Sequence, residues 1–267
     1  MATSDVRATG GRGRGFDSAR ALVLSAVTVA EGSSSGRFWR EMRLLVVAAL
    51  AGFAAMILVA IGYGVANARH EAQVQADFKN AASVELVVVS SVFYSVIAAF
   101  ILWRISPTTG VSLNDLGLRG LRGRDWGTIG LGLVAILAAN LLYQRVMAAT
   151  GNAQHLQAGF EHVRIQSTAA GVFFVVSSAV IAPFAEELLF RMILFRTLAQ
   201  KMPWLLAAII SAIVFGLGHG DIVAFPVLAW LGFVNAVAYQ RTGNILTSMV
   251  LHGANNLWAS AALLFLR

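Results

Sequence analysis

The chain has 267 residues, 58% of them hydrophobic and only 12% charged, with a mean hydropathy of +0.72, where an average soluble domain carries about 25% charge. So few charges cannot cover a water-soluble fold of this size, which excludes a soluble globular enzyme. Cysteine is absent, which excludes disulfides, thiolate zinc sites, Cys nucleophiles and iron–sulfur clusters.

Residues 1–40 are rich in Gly, Ser, Ala and Arg and read as a disordered basic tail. The stretch Gly10-Gly11-Arg12-Gly13-Arg14-Gly15 resembles RNA-binding segments. A flexible basic tail beside an anionic leaflet accounts for it equally, so nucleic acid is not an expected partner. The run Ala21–Ala30 is too short to span, and Thr28-Val29-Ala30 is a conceivable cleavage site. The long polar stretch before it and the spanning helix soon after it favour an uncleaved tail.

From there the apolar residues come in runs of about twenty, the length that crosses roughly 30 Å of hydrocarbon. Barrel strands would instead alternate in segments of about ten. The expected fold is therefore all-α: a polytopic membrane helix bundle of about seven, at most eight, transmembrane helices. The spans are expected near Leu44–Ala66, Val84–Trp103, Gly127–Ala149, Ala169–Leu198, Trp204–Gly218, Ile222–Tyr239 and Ile245–Leu266. Lys and Arg sort between alternate connections. Arg7, Arg12, Arg14, Arg20, Arg37, Arg40 and Arg43 fall on one side with Arg104, Arg119, Arg122, Arg124, Arg196, Lys201 and Arg241. The other side holds Arg69, Lys79 and Arg164. This asymmetry predicts a multi-pass protein of the cell membrane with a cytoplasmic N-terminus and an external C-terminus. The first three spans carry almost no ionisable groups and read as scaffold. No internal repeat of the transporter kind is present.

The chemistry lies in the last hundred residues. An ionisable side chain inside a span costs several kcal/mol, about 2.5–3.5 on insertion scales, so each one needs a reason. Glu187 and Arg191 are i and i+4 with the acid first, the favourable order for a helical ion pair. Glu186 lies about 100° further round the helix and cannot share that Arg easily. Left unneutralised in hydrocarbon, it takes up a proton readily, which suits a general base. Pro183, just before it, is expected to kink the helix and open a polar pocket. His219 sits among Gly216, Gly218 and Gly220, whose small size lets helices or a substrate backbone come close. His252 and Asn256 share a helix face at i, i+4, a spacing that serves either as packing glue or as an oxyanion-binding pair. Asn255 points elsewhere and takes a supporting place. At about 1.5 Å per residue, Glu186, His219, His252 and Asn256 fall at similar depths on three helices of alternating direction. A Glu, two His and an Asn that converge with Arg nearby suit water activation and a tetrahedral intermediate.

Taken together, these residues resemble the CPBP intramembrane proteases, the family of CAAX prenyl endopeptidases and of bacteriocin-processing or immunity relatives. Glu186-Glu187-Leu-Leu-Phe-Arg191 is similar to its EExxxR motif, Phe215-Gly-Leu-Gly-His219 to FxxxH, and His252-Gly-Ala-Asn-Asn256 to HxxxN. The resemblance covers roughly 113–264, including a leading Leu116-Gly117-Leu118-Arg119 loop. It departs from the family at Met192, where Gly is frequent after the motif Arg, and at Asn235-Ala236, where Leu-Gly is frequent.

The chain reads as three regions: the tail at 1–40, N-terminal scaffold helices at 41–112, and a segment at 113–267 that the resemblance makes an intramembrane protease core. It implies an endopeptidase acting on a membrane-associated protein or peptide within the lipid bilayer. Glu186 becomes the water-activating base, His219 helps hold that water, His252 and Asn256 stabilise the oxyanion, and Arg191 orients the Glu186–Glu187 pair. A non-catalytic immunity or scaffold protein of the same fold is the alternative, and a transporter using Glu186 as proton relay is a third. The family is named for metalloproteases, and Glu186, His219 and His252 would form a His₂Glu zinc site. HExxH is absent and no carboxylate is visible behind each His, so no tightly bound metal is expected.

Overall fold

The computed structural model describes residues 34–66, 84–109, 117–152 and 167–265. The expectations placed on the tail before Ser34, on Arg69, Lys79 and Arg164, on Leu116 of the leading loop and on Leu266 lie outside these residues. Among the described residues the chain forms seven helices and no strand. They are α1 (Ser34–Ala66), α2 (Val84–Thr109), α3 (Gly123–Ala149), α4 (Thr168–Ala199), α5 (Trp204–Gly218), α6 (Phe225–Thr242) and α7 (Ile245–Phe265). The protein is an all-helical membrane bundle. The segments Arg40–Ala66, Gly123–Ala149 and Thr168–Ala199 are long and apolar enough to cross a bilayer, and Val87–Trp103 and Trp204–Gly218 are shorter apolar helices.

The bundle is apolar outside and partly polar inside, the reverse of a soluble domain. Leu58, Val65, Leu131, Val134 and Leu142 are exposed, whereas Glu187, Arg191, Asn235, Ser248 and His252 are buried. In hydrocarbon an exposed Leu costs nothing, and every polar group must find its partner within the bundle. Close helix approach comes from small residues. A Cβ at Gly232 of α6 would lie 3.1 Å from the Ala212 Cα of α5, and one at Gly216 of α5 would lie 3.1 Å from the Ala229 N of α6. The α1–α2 contact uses the same device, with Gly52 under Phe93 and Ile97.

Three helix starts follow from local chemistry. Asp125 accepts from the Arg122 N–H at 2.9 Å and so caps α3 at Gly123. Ser167 accepts from the Ala170 N–H and caps α4. α6 begins at Phe225 rather than at the expected Ile222. Asp221 Oδ1 accepts from both the Val223 and Ala224 N–H groups at 2.9 Å, which holds those residues in a turn. Pro226 then occupies the first helical turn, where its missing N–H does no harm. Ile222 is accordingly 77% exposed.

A clamp locks the α6–α7 turn to the start of α3. Gly243 ends α6 with φ +60°, and Gly117 (φ +83°) lies so close that a Cβ there would be 2.7 Å from the Gly243 carbonyl oxygen. The Ile245 N–H donates to the Gly117 carbonyl at 2.9 Å. Arg119 bridges the buried Asp125 at 3.0 Å and the Thr242 carbonyl at 2.9 Å, while Asn244 donates to Asp125 at 3.2 Å. This clamp fixes where α7 starts, and so the depth at which His252 sits.

Candidate active site

α4 carries the acidic pair and is not a uniform α-helix. Ser177–Ile181 and Leu188–Phe195 are π-helical, and they flank an α segment at Ala182–Glu187. Pro183 explains the first of these. It has no N–H to donate to the carbonyl of Ala179, four residues back, and its ring clashes with that carbonyl in a regular helix. A π turn widens the spacing to i→i+5 and relieves the clash. The expected kink at Pro183 is thus a π segment within a continuous helix.

α7 docks on that segment. Gly253 passes so near α4 that a Cβ would stand 2.3 Å from the Ala179 carbonyl oxygen. One turn on, Asn256 Nδ2 donates to the Ser178 carbonyl at 2.9 Å, and the Ser260 and Ser178 hydroxyls lie 3.1 Å apart. The glycine after His252 and the asparagine four residues on therefore have a common structural cause. Both fit α7 to the backbone that Pro183 displaces.

Glu187 is the centre of a buried polar network. Its Oε2 lies 2.9 Å from Arg191 Nε, and its Oε1 accepts from Asn235 Nδ2 at 3.1 Å and His252 Nδ1 at 3.0 Å. Arg191 Nη1 donates to the Ser211 hydroxyl at 3.2 Å, which in turn donates to the Phe190 carbonyl. The Arg191 guanidinium also stacks 5.1 Å from the Phe215 ring centre. Phe215 meets the rings of His219 at 4.7 Å and His252 at 5.5 Å, so one buried ring touches the cation and both imidazoles. Among the described residues Glu187 is the one acid that Arg191 pairs with, and Arg191 makes no direct contact with Glu186.

Glu186 faces the other way, as the 100° offset predicts. It lines a cleft of about 290 Å³ together with His219, His252, Asn256, Tyr94, Ser90, Ser177 and Ser178. The four residues singled out from the sequence, Glu186, His219, His252 and Asn256, therefore meet in one cavity. His252 Nε2 is 3.7 Å from Glu186 Oε2, and Tyr94 of α2 lines the cleft beside it. His219 stands exposed at the cleft, where its Nδ1 donates to the Phe215 carbonyl at 2.8 Å. A carbonyl only accepts, so Nδ1 carries the proton and neutral His219 presents an acceptor Nε2. His252 likewise donates from Nδ1 to Glu187 and turns Nε2 to the cleft. Asn256 keeps a second N–H on Nδ2, and its Oδ1 accepts from Asn255 at 3.2 Å, so Asn255 sets the direction of its amide.

The sequence reading missed two classes of partner. Asn235 and Ser211 complete the Glu187–Arg191 network from α6 and α5. An Asn in mid-span was itself a signal, because a buried amide needs a partner. Tyr94 comes from a helix read as scaffold. Its signal was the polar stripe Ser90, Ser91, Tyr94 and Ser95, which falls on one helical face.

A zinc ion would need three converging donors with their far nitrogens fixed. The second condition is met by Glu187 behind His252 and by the Phe215 carbonyl behind His219. The first is not, since no three His, Asp or Glu side chains among the described residues are close enough to share an ion.

Comparison with known proteins bears on the same segment. Residues 168–258 match the family described as Type II CAAX prenyl endopeptidase Rce1-like. Over 78 residues the chain is 32% identical to "Putative membrane peptidase YdiL" of Bacillus subtilis (strain 168), covering 29% of this chain and 32% of that protein. Over 137 residues it is 24% identical to the membrane-embedded CAAX protease MroQ of Staphylococcus aureus (strain USA300), covering 49% of this chain and 54% of MroQ. The chain thus spans about a third and about half of these relatives. No solved structure matches.

Proposed function

We propose, from the premise that residues 168–258 match the Rce1-like family of Type II CAAX prenyl endopeptidases, that the chain is an intramembrane endopeptidase working by glutamate-activated water. The observation that carries the reading is the division of the acidic pair. Glu187 is consumed by Arg191, Asn235 and His252, whereas Glu186 faces a cleft that no Lys or Arg lines among the described residues.

In the proposed mechanism water enters the cleft between Glu186 and the acceptor Nε2 of His219. Glu186 removes one of its protons, and the oxygen attacks the scissile carbonyl. The remaining N–H of Asn256 and the Nε2 of His252, when it carries a proton, donate to the oxyanion. Glu186 then returns its proton to the leaving amine. Glu187 fixes the ring of His252 through Nδ1, as the third member of a triad fixes its histidine. No step passes through a metal, because Glu186, His219 and His252 do not converge as ligands.

The substrate in this reading is a protein or peptide associated with the bilayer. The chain is multi-pass, with residues 1–40 as a cytoplasmic tail, 41–112 as N-terminal helices and 113–267 as the protease core. The Lys and Arg asymmetry supports a cytoplasmic N-terminus, and a reporter fused after Arg267 is expected to signal from outside the cell. A cytoplasmic signal would reverse that orientation.

The deciding experiment compares membrane proteomes of cells carrying wild type or Glu186→Gln for new N-termini. Cleavage products present in the first and absent in the second support the protease. Identical proteomes, with biological function intact in the variant, would favour a non-catalytic immunity or scaffold protein.

A further inference from the structure

The matched family segment begins at residue 168, yet the cleft does not close with that segment alone. One wall belongs to α2, which contributes Val87, Ser90 and Tyr94. The α2 wall is tied to the π segment of α4 by a contact of 2.8 Å between the Ser91 and Ser177 hydroxyls, and Ser91 donates to the Val87 carbonyl at 2.7 Å. The face of α2 that carries Tyr94 is therefore held in register against the residues that precede Glu186.

The two acids differ in how they are held. Glu187 has three polar partners from α4, α6 and α7. Glu186 has His252 Nε2 at 3.7 Å, too long for a hydrogen bond. A carboxylate used as a base needs a fixed rotamer without a cation that would quench it. A phenol meets both needs, since it donates one hydrogen bond and adds no charge. A tyrosine hydroxyl in a bilayer also needs a partner of its own, and the half-buried Tyr94 lines the same cleft as Glu186.

We propose that Tyr94, from α2, is a positioning residue for Glu186 whose hydroxyl donates to the carboxylate and holds it toward the cleft. The role rests on the reading of Glu186 as the base. It makes the N-terminal helices part of the site, so that residues 168–258 would form an incomplete one.

The test uses the full chain in detergent with a quenched fluorescent peptide ending in a farnesylated CAAX box. Wild type, Glu186→Gln, Tyr94→Phe and Tyr94→His are compared. Tyr94→Phe is expected to lower kcat on the order of 10- to 100-fold with KM within about twofold, because a misplaced base costs turnover and not binding. Its thermal midpoint stays that of wild type, and Tyr94→His, which keeps a ring and a donor, recovers part of the loss. Infrared difference spectra against Glu186→Gln isolate the Glu186 carboxyl band, which shifts in Tyr94→Phe whatever the substrate. Wild-type kcat in Tyr94→Phe, a change in KM alone, or an unmoved carboxyl band would overturn the inference and leave the protease reading standing. Equal rates for wild type and Glu186→Gln would overturn that reading, and the role of Tyr94 in turnover with it.

Discussion

Where α1 meets α2, Gly52 lies under Phe93 and Ile97, and Phe53 meets Phe93 edge-on with ring centres 5.0 Å apart. Where α4 meets α5, α6 and α7, the contact instead runs from Ser211 through Arg191 and Glu187 to Asn235 and His252. The first contact works by shape, which in lipid yields only dispersion and lipid entropy. The second works by satisfying charge, and each member leaves a costly orphan if its partner is removed. Apolar contacts of the first kind tolerate gradual change, whereas the network of the second kind is kept or lost as a unit. His252, which lines the cleft, is attached to the unit, so stability and the position of its ring are joined there.

The strongest way to break this contrast is Arg191→Leu. It leaves Glu187 buried and unpaired, at an expected cost of about 3–5 kcal/mol, read as a large fall in the thermal midpoint in detergent. Glu187→Leu combined with Arg191→Leu should regain much of that stability, since replacing both members of a buried pair is often neutral. Turnover should stay low, because His252 Nδ1 then has no acceptor. Recovery of both would separate the network from the site.

Gly253→Ala comes next. The new methyl would stand 2.3 Å from the Ala179 carbonyl oxygen, and α7 cannot yield without carrying His252 and Asn256 away. An overpacking cost of about 1–3 kcal/mol is expected, together with a loss of cleavage larger than the stability change alone explains. Wild-type cleavage in this variant would show that the α4–α7 contact does not set the site.

In the apolar region, Ile97→Ala should cost less than the ~2–5 kcal/mol of a comparable truncation in a soluble core, because lipid replaces part of the lost contact. Cleavage should not change. A loss of activity there would mean that the α1–α2 contact reaches the cleft through α2. The smallest effect belongs to Arg124→Ala. Arg124 is 55% exposed and 3.8 Å from Asp125, whereas the Arg119 partner of the same carboxylate is 18% exposed and 3.0 Å away. Within about 1 kcal/mol is expected for Arg124, with Arg119→Ala the more damaging of the two in a chemical denaturation series.

Much of this was legible in the sequence because its signals are local. The helix register puts Glu187 and Arg191 on one face, and the apolar runs end within a few residues of the observed helices. The largest departures are α1, which starts at Ser34, ahead of the hydrophobic run from Leu44, and α2, which continues to Thr109 past Trp103; at α6, Asp221 and Pro226 delay the start by three residues. The remainder was illegible because it is long-range. Asn235 finds Glu187 across 48 residues and Asn256 finds Ser178 across 78, and helical periodicity carries no information about such pairs. Pro183 announced a disturbance, but the docking of Gly253 on the Ala179 carbonyl beside it is a contact across 74 residues that the local pattern does not carry.

The widened turn at Ser177–Ile181 also stores one residue in α4 without turning the helix on either side of it. A π turn closes its hydrogen bond over i→i+5 where an α turn closes it over i→i+4, so the extra residue is taken up within the turn, and Phe174 and Glu186 line one cleft from either side of it. Deleting a single residue there would leave Thr168–Val176 and the acidic pair in their present phase. What it would remove is the offset of the Ser177 hydroxyl and the Ser178 carbonyl, the atoms that Ser91 and Asn256 meet. The spare residue thus works as a shim, fitted to two neighbouring helices and not to its own.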